Sequence, residues 1–188
     1  MEQTRRRIAA ATLDLHATVG PARTTVSAVA DRAGVERATV YRHFPDELSL
    51  FRACVTHGLE VRPGPDPSGW AGIVDPEELL RTGLRELYGY YRRNESLWAN
   101  VARDLPLLPA LQQANAEAGV FEWFAAIREA LLRPWPVRGR RRELLRAAIG
   151  HATDFPTWYS LAMRQGLRDE DAVEAIVAMV RCLTASGS

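Results

Sequence analysis

Apolar residues recur at the three-to-four-residue spacing of an α-helix along this whole 188-residue chain, and no run alternates as a β-strand does. This pattern limits the possible folds more than any other feature of the sequence. It predicts an all-α protein of about nine helices, over roughly residues 3–19, 26–33, 36–43, 46–60, 75–93, 95–104, 109–132, 139–165 and 169–184.

Helix-breaking residues suggest how these helices are grouped. Residues 62–74 are rich in proline and glycine and form the best boundary candidate. We expect a three-helix N-terminal head over residues 1–45 and a larger helical body over residues 46–188, with helix 46–60 connecting the two. Asp46 is a natural cap for that helix, and Pro156 should kink the helix predicted over 139–165.

Composition excludes several classes of protein. The 47% hydrophobic content suits a globular fold with a buried core. No apolar run approaches the ~20 residues that span a bilayer, and the N-terminus lacks the apolar stretch of a signal peptide. We therefore expect a cytoplasmic protein without membrane contact.

Motifs for catalysis, cofactors and metals are missing from the sequence. Cys54 and Cys182 are predicted to be free thiols, and the pair Cys54 and His57 has no second pair at metal-ligand spacing. His151 and Asp154 lie one turn apart without a nucleophile at recognisable spacing. There is no G-x-S-x-G, P-loop or dinucleotide fingerprint, so we predict no enzyme activity, no cofactor and no metal site.

The stretch TTVSAVADRAGVERATVYRHF, residues 24–44, has the form of a helix-turn-helix, with Gly34 in the turn. If Val40 of the second helix points into the core, Phe44 points into the core as well and Arg42 points outward. Net charge is only +1 for the whole chain, but residues 1–45 carry seven arginines against four acids. The periodicity alone fits a second interpretation equally, in which the charged side of the helix is simply solvated and the other side belongs to a three-helix core.

The outward residues of this motif suit DNA. Arg37 lies in the first turn, where a recognition helix meets base edges, and a guanidinium can read guanine while the Ala38 methyl suits thymine. Thr25, Tyr41 and His43 suit phosphates, and Arg5, Arg6 and Arg7 could add contacts from a flexible arm. The predicted DNA-binding set is Thr25, Ser27, Glu36, Arg37, Ala38, Thr39, Tyr41, Arg42 and His43.

Residues 5–51 resemble the DNA-binding head of the TetR family of bacterial regulators. The matching residues are Ile8, Ala11, Gly20, Thr25-Val26, Val29-Ala30, Ala33-Gly34-Val35, Thr39-Val40-Tyr41 and His43-Phe44. The resemblance implies an all-helical homodimer that binds operator DNA and is released by a small molecule in the body. One departure is Glu47, which stands where the family usually has a phosphate-binding lysine.

The body carries aromatic residues interleaved with polar ones, among them Asn100, Arg103, Asp104, Thr153 and Asp154. An apolar cavity with a few polar groups suits a small-molecule effector, although an ordinary aromatic core explains the same pattern. The candidate ligand-binding residues are Tyr91, Trp98, Phe121, Phe124, His151 and Phe155.

The family resemblance implies that the helices over about 139–165 and 169–184 pack against their copies in a homodimer. Two other functions stay open at this stage. One is an activator or nucleoid-binding regulator without a ligand. The other is a small-molecule-binding protein or enzyme whose head binds DNA weakly, which only Glu47 supports.

Overall fold

The computed structural model describes residues 1–185, and these are all-α, as the spacing predicts. They form eleven α-helices: α1 Glu2–Thr18, α2 Val26–Ala33, α3 Arg37–His43, α4 Glu47–Val61, α5 Pro76–Arg93, α6 Glu95–Asp104, α7 Pro109–Glu117, α8 Val120–Leu132, α9 Gly139–Thr153, α10 Phe155–Trp158 and α11 Asp169–Ala185. Short 3₁₀ turns cover Pro21–Arg23, Pro67–Trp70 and Leu105–Leu107, and a π-helix covers Tyr159–Arg164. Within this range, no helix is both long and apolar enough to cross a membrane.

The chain divides into two compact units. The first unit comprises Met1–Pro63 and Asn94–Phe121, and the second comprises Gly64–Arg93 with Glu122 and the residues after it. The first unit thus holds α1 to α4 together with α6, α7 and the first two residues of α8, whereas the second holds α5, the rest of α8 and α9 to α11.

The core of the first unit forms where α1, α2 and α3 meet. Its buried residues recur at helical spacing, so each helix turns one apolar face inward. They are Ile8, Ala11, Leu15, Val29, Ala30, Ala33, Val40, Phe44 and Leu50. Gly34 ends α2 at φ +63°, a left-handed conformation that side chains rarely adopt, and this turn directs α3 across the core.

In the second unit α5 packs against α9 and α11. Two buried tyrosines of α5 fix its contact with the end of α9, because the Tyr88 hydroxyl donates to Ala152 O at 2.9 Å and the Tyr91 hydroxyl to Thr153 O at 2.7 Å. Burial raises the pKa of both phenols, so each stays protonated and remains a donor.

Two of the predicted helices are divided. The helix predicted over 109–132 breaks at Gly119, whose φ of +73° ends α7 before α8 begins. The helix predicted over 139–165 ends at Asp154, which is extended, and Pro156 lies in the first turn of the separate α10. Pro156 disturbs the helix, as expected, because proline has no backbone N–H to donate to a hydrogen bond in a helix interior.

Candidate nucleic-acid interface

The helix-turn-helix comprises α2, the turn at Gly34 and α3. The Thr25 hydroxyl caps α2 by accepting a hydrogen bond from Ala28 N at 3.2 Å. Val40 and Phe44 are 1% and 2% exposed, so α3 is held by its inward face as predicted. The other face of α3 is therefore free to meet a partner along its length.

The predicted contact residues lie at the surface of these elements. Arg37, Ala38 and Arg42 are exposed on α3, and the Tyr41 side chain beside them is about half exposed. Thr25 and Glu36 are also exposed, whereas Ser27, Thr39 and His43 are half-buried. An Arg42 nitrogen lies 3.4 Å from Thr39 Oγ1 in a solvent-exposed contact, so the guanidinium can turn outward.

The flexible arginine arm expected at the N-terminus is not present, because residues from Glu2 onward already belong to α1. Arg5 donates to His43 O at 2.9 Å and stacks 4.4 Å from the Phe44 ring centroid. Arg7 donates to the carbonyl oxygens of Ala33 and Gly34. These arginines satisfy carbonyls at the C-terminal ends of α3 and α2, where the helix dipole favours a cation.

Two carboxylates mark the start of α4. Asp46 caps the helix by accepting from Ser49 N at 2.7 Å, as predicted, and its own N–H is 3.4 Å from Ser49 Oγ. These hydrogen bonds lower the pKa of Asp46, so it is charged at neutral pH. Glu47, in the first turn, is exposed. The surface at this helix end is therefore acidic, although a helix N-terminus otherwise favours phosphate.

Helix α6 holds the segment that leads into the helix-turn-helix. The Asn100 amide donates to His16 O and Ala17 O, both at 3.0 Å, and so caps the C-terminus of α1. Asp104 is buried, accepts from Ala22 N at 3.0 Å and pairs with Arg103 at 2.6 Å.

We call Asn100, Arg103 and Asp104 the α6 clamp. The hydrogen bond from Arg103 lowers the pKa of Asp104, with burial opposing it. Sequence spacing groups these three residues with the body aromatics, whereas the structure places them against α1 and its following loop. Gly20 of that loop has φ +96°, and a Cβ there would meet Asp104 at 2.6 Å. The contact between Gly20 and the distant pair Arg103 and Asp104 cannot be predicted from a single sequence, because no local pattern connects these positions.

Four of the six candidate ligand residues lie in the second unit. A chain of ring contacts connects Phe124 through Trp123, Tyr90 and Tyr91 to Phe155, with centroids 4.6 to 6.1 Å apart. His151 is exposed, and its Nδ1 lies 3.2 Å from Thr157 Oγ1. Trp98 and Phe121 belong to the first unit, where Trp98 is half-buried and Phe121 is 45% exposed.

Sequence reasoning missed Arg128, which lies at one end of this aromatic chain. Its guanidinium donates to Thr153 Oγ1 at 3.1 Å and to Asp154 Oδ1 at 2.6 Å, and lies 5.8 Å from the Phe124 ring. Residues 1–185 contain no group of three His, Cys, Asp or Glu side chains placed to hold a metal ion.

A segment of the first unit matches a known protein family. Residues 8–54 match the family model of bacterial regulatory proteins of the tetR family, a span that covers the helix-turn-helix and the first half of α4. Residues 8–54 are therefore similar to the N-terminal domain of the tetR family. Among curated protein sequences, none matches this chain significantly.

Several solved structures, one of them of a tetR-family regulator, resemble this chain in fold. A regulator from Streptomyces coelicolor is 18% identical with a TM-score of 0.70, over 98% of this chain and 82% of its own. NalD of Pseudomonas aeruginosa, the secondary repressor of the MexAB-OprM multidrug efflux pump, is 21% identical with a TM-score of 0.59, over 96% of each chain. RolR, solved with resorcinol, is 16% identical with a TM-score of 0.51, over 99% of this chain and 95% of its own.

Proposed function

We propose that this protein is a transcriptional repressor that binds operator DNA as a homodimer and is released by a small molecule. The observation that carries the proposal is the helix-turn-helix, with Arg37, Ala38 and Arg42 exposed on a helix anchored by Val40 and Phe44. In this reading Arg37 and Arg42 contact bases, and Thr25, Tyr41 and His43 contact phosphates. Residues 1–45 are then the DNA-binding domain and residues 46–188 the domain for effector and partner copy.

An exposed apolar face supports the homodimer. On α9 Leu144 and Ala147 are exposed, and on α11 Ala178, Met179 and Cys182 are exposed, with Leu144 at 46% and Met179 at 60%. On each helix these residues fall at helical spacing on one side, opposite the buried side. A second copy would cover them, and a two-fold dimer would present two α3 helices about 34–36 Å apart to successive major grooves.

The proposed effector site lies in the second unit. The aromatic chain from Phe124 to Phe155, with Arg128 at its end, offers apolar rings and a few polar groups, as small-molecule sites do. NalD represses an efflux pump and RolR was solved with resorcinol, which is consistent with an effector for this chain too. A regulator of chromosomal genes acts in the cytoplasm, and we place this protein there.

The proposal is tested by selecting genomic DNA fragments with purified protein and sequencing them. We expect enrichment of an inverted repeat upstream of the protein's own gene or of a divergent neighbour. The double variant Arg37→Ala/Arg42→Ala should recover none of it, whereas Arg133→Ala/Arg140→Ala, which removes two exposed arginines of the second unit, should recover it as wild type does. Equal recovery by both double variants, or no enrichment by wild type, would refute the proposal.

A further inference from the structure

Helix α3 depends on its neighbours for its position. It has seven residues, Arg37–His43, and a helix this short is not stable by itself in water. Within residues 1–185, its N-cap residue Glu36 makes no side-chain hydrogen bond to the first turn. Val40 and Phe44 bury one face of the helix in the core, but hydrophobic attraction has no direction and does not fix where the two ends lie. Directional contacts at the ends are needed for that.

Arg5 of α1 contacts the C-terminal end of α3 in two ways. Its Nη1 donates to His43 O at 2.9 Å, and its guanidinium lies 4.4 Å from the Phe44 ring centroid. His43 is the last residue of α3, so its carbonyl oxygen has no acceptor role inside the helix. The hydrogen bond fixes the direction of this carbonyl, and the stacked guanidinium fixes the face of the ring. The half-buried Arg5 therefore holds the end of α3 in a defined place against α1.

Arg7 of α1 contacts the turn that precedes α3. Its Nη2 donates to Ala33 O and lies 3.3 Å from Gly34 O. The missing side chain of Gly34 leaves room for this contact, because a Cβ there would lie only 3.3 Å from the same nitrogen. Arg5 and Arg7, two residues apart on one helix, thus hold the structure at both ends of α3.

We propose that Arg5 and Arg7 are positioning residues, which set the angle at which the exposed Arg37 and Arg42 of α3 meet base edges. They act through α3 and not by contacting DNA. Hydrogen bonds to bases are directional, so a bidentate contact tolerates little displacement, whereas attraction to phosphates depends mostly on charge. A displaced α3 therefore loses preference for operator and keeps its general affinity for DNA. This role rests on the proposed function.

The role is tested by anisotropy titration of full-length protein with operator and with a shuffled duplex, over a series of salt concentrations. For Arg5→Ala we expect a preference for operator about tenfold below that of wild type, with affinity for the shuffled duplex and the salt slope unchanged. Arg7→Ala should behave in the same way. The matched control is Arg6→Ala, which removes the same charge from an exposed side chain paired with Glu2 at 3.7 Å, and it should keep the wild-type preference.

This pattern separates positioning from other roles. Loss of folded protein lowers the apparent affinity for both duplexes by the same factor, so it does not change their ratio. If Arg5→Ala does not fold, Arg5→Lys still decides, because it keeps the charge but lacks the flat guanidinium that stacks on Phe44, and it too should lose preference. Equal weakening for both duplexes with a salt slope lower by about one would show a phosphate contact and overturn the proposal. Wild-type preference in either Arg5 variant would also overturn it.

The contact of Arg5 with α3 is also measured without DNA, by hydrogen exchange of the full-length protein. The Phe44 amide donates to Val40 O at 2.8 Å, at the end of α3. We expect Arg5→Ala to speed its exchange about fivefold and Arg6→Ala to leave it unchanged. Unchanged exchange of Phe44 in Arg5→Ala would overturn the role of Arg5, whatever the protein does with DNA. If wild type shows no preference for operator, the proposed function fails and the positioning role with it, whereas exchange still decides whether Arg5 holds the end of α3.

Discussion

At the scale of single residues, Glu47 sets the electrostatics of the surface around the start of α4. It is exposed in the first turn, next to the charged cap Asp46, where a phosphate would otherwise be favoured by the helix N-terminus. We infer that these two carboxylates weaken the attraction of the head for DNA without altering the face of α3.

Glu47→Lys should therefore strengthen binding to operator and to unrelated DNA alike. One additional phosphate contact steepens the slope of log Kd against log salt by roughly one. Fluorescence anisotropy over a salt series measures this, with Glu122→Lys, an exposed glutamate in the first turn of α8, as the matched control. The interpretation fails if both lysine variants show the same slope and affinity.

Single residues also show where sequence reasoning succeeds and where it stops. Gly34 and Asp46 are predicted correctly because capping and turn chemistry depend on residues only a few positions away. Arg5 and Arg7 bind carbonyls 38 and 26 positions away, and such distant partners cannot be read from local pattern.

At the scale of elements, the α6 clamp ties α6 to the loop before α2. The buried Asp104 carboxylate accepts from Ala22 N and pairs with Arg103, so it holds the backbone that leads into the helix-turn-helix. Replacing the Asp104 carboxylate therefore alters a part-buried hydrogen bond from Ala22 N and removes the ion pair with Arg103.

Asp104→Asn should lower the free energy of unfolding by about 1–3 kcal/mol, because hydrogen bonds to a buried charged group are lost. Hydrogen exchange of the Ala22 amide should accelerate more than exchange in α11. Thermal or denaturant unfolding together with exchange measures both effects, and Asp31→Asn, at an exposed position of α2, is the control. Unchanged exchange at Ala22 would show that the carboxylate does not hold this loop.

The pair Arg52 and Glu117 links α4 to α7, with two hydrogen bonds. The Arg52 guanidinium, aided by Gln113, lowers the pKa of Glu117 from 4.5 to about 2. A carboxyl group with a lowered native pKa stabilises the fold above its unfolded pKa, and this contribution is lost as pH falls through the native value.

We therefore expect Glu117→Gln to be less stable than wild type by a constant amount at pH 6–7. The difference should shrink as pH falls from 4.5 toward about 2, the native pKa. Urea unfolding at a series of pH values measures it, with Glu122→Gln as a control that keeps this pair intact. A difference that stays the same down to pH 3 would contradict this assignment.

Helix-breaking residues predict element boundaries only in part. Pro156 signals a kink in the helix predicted over 139–165, whereas the structure ends α9 at Thr153 and places Pro156 in the first turn of α10. Gly119 gives no such signal, because a glycine inside a helical pattern is tolerated in many helices and only its positive φ makes it a break. Ring contacts among Phe124, Trp123 and Tyr90 likewise depend on how helices pack, which periodicity does not specify.

At the scale of the whole molecule, the proposed homodimer explains why apolar side chains of α9 and α11 are exposed. Met179→Glu would place a charge in the interface without touching the core of its own unit, since Met179 is 60% exposed. A buried unpaired charge is costly, so the dimer should dissociate and operator affinity should fall with it.

Sedimentation velocity and anisotropy on the same samples measure these two effects. Leu107→Glu is the matched control, because Leu107 is an apolar residue of the first unit that is 70% exposed. We expect wild-type assembly and binding for the control and a monomer for Met179→Glu. A Met179→Glu protein that stays dimeric would place the interface elsewhere.

Sequence-selective DNA binding by α3 is the central claim, and anisotropy titration tests it most directly. The selected operator and a shuffled duplex of equal length are compared at one salt concentration. We predict that wild type prefers the operator by at least about a thousandfold. We also predict that Arg37→Ala loses about 1–3 kcal/mol of that preference while still binding both duplexes in a salt-dependent way. Equal affinity of wild type for the two duplexes, or an undiminished preference in Arg37→Ala, would contradict the claim.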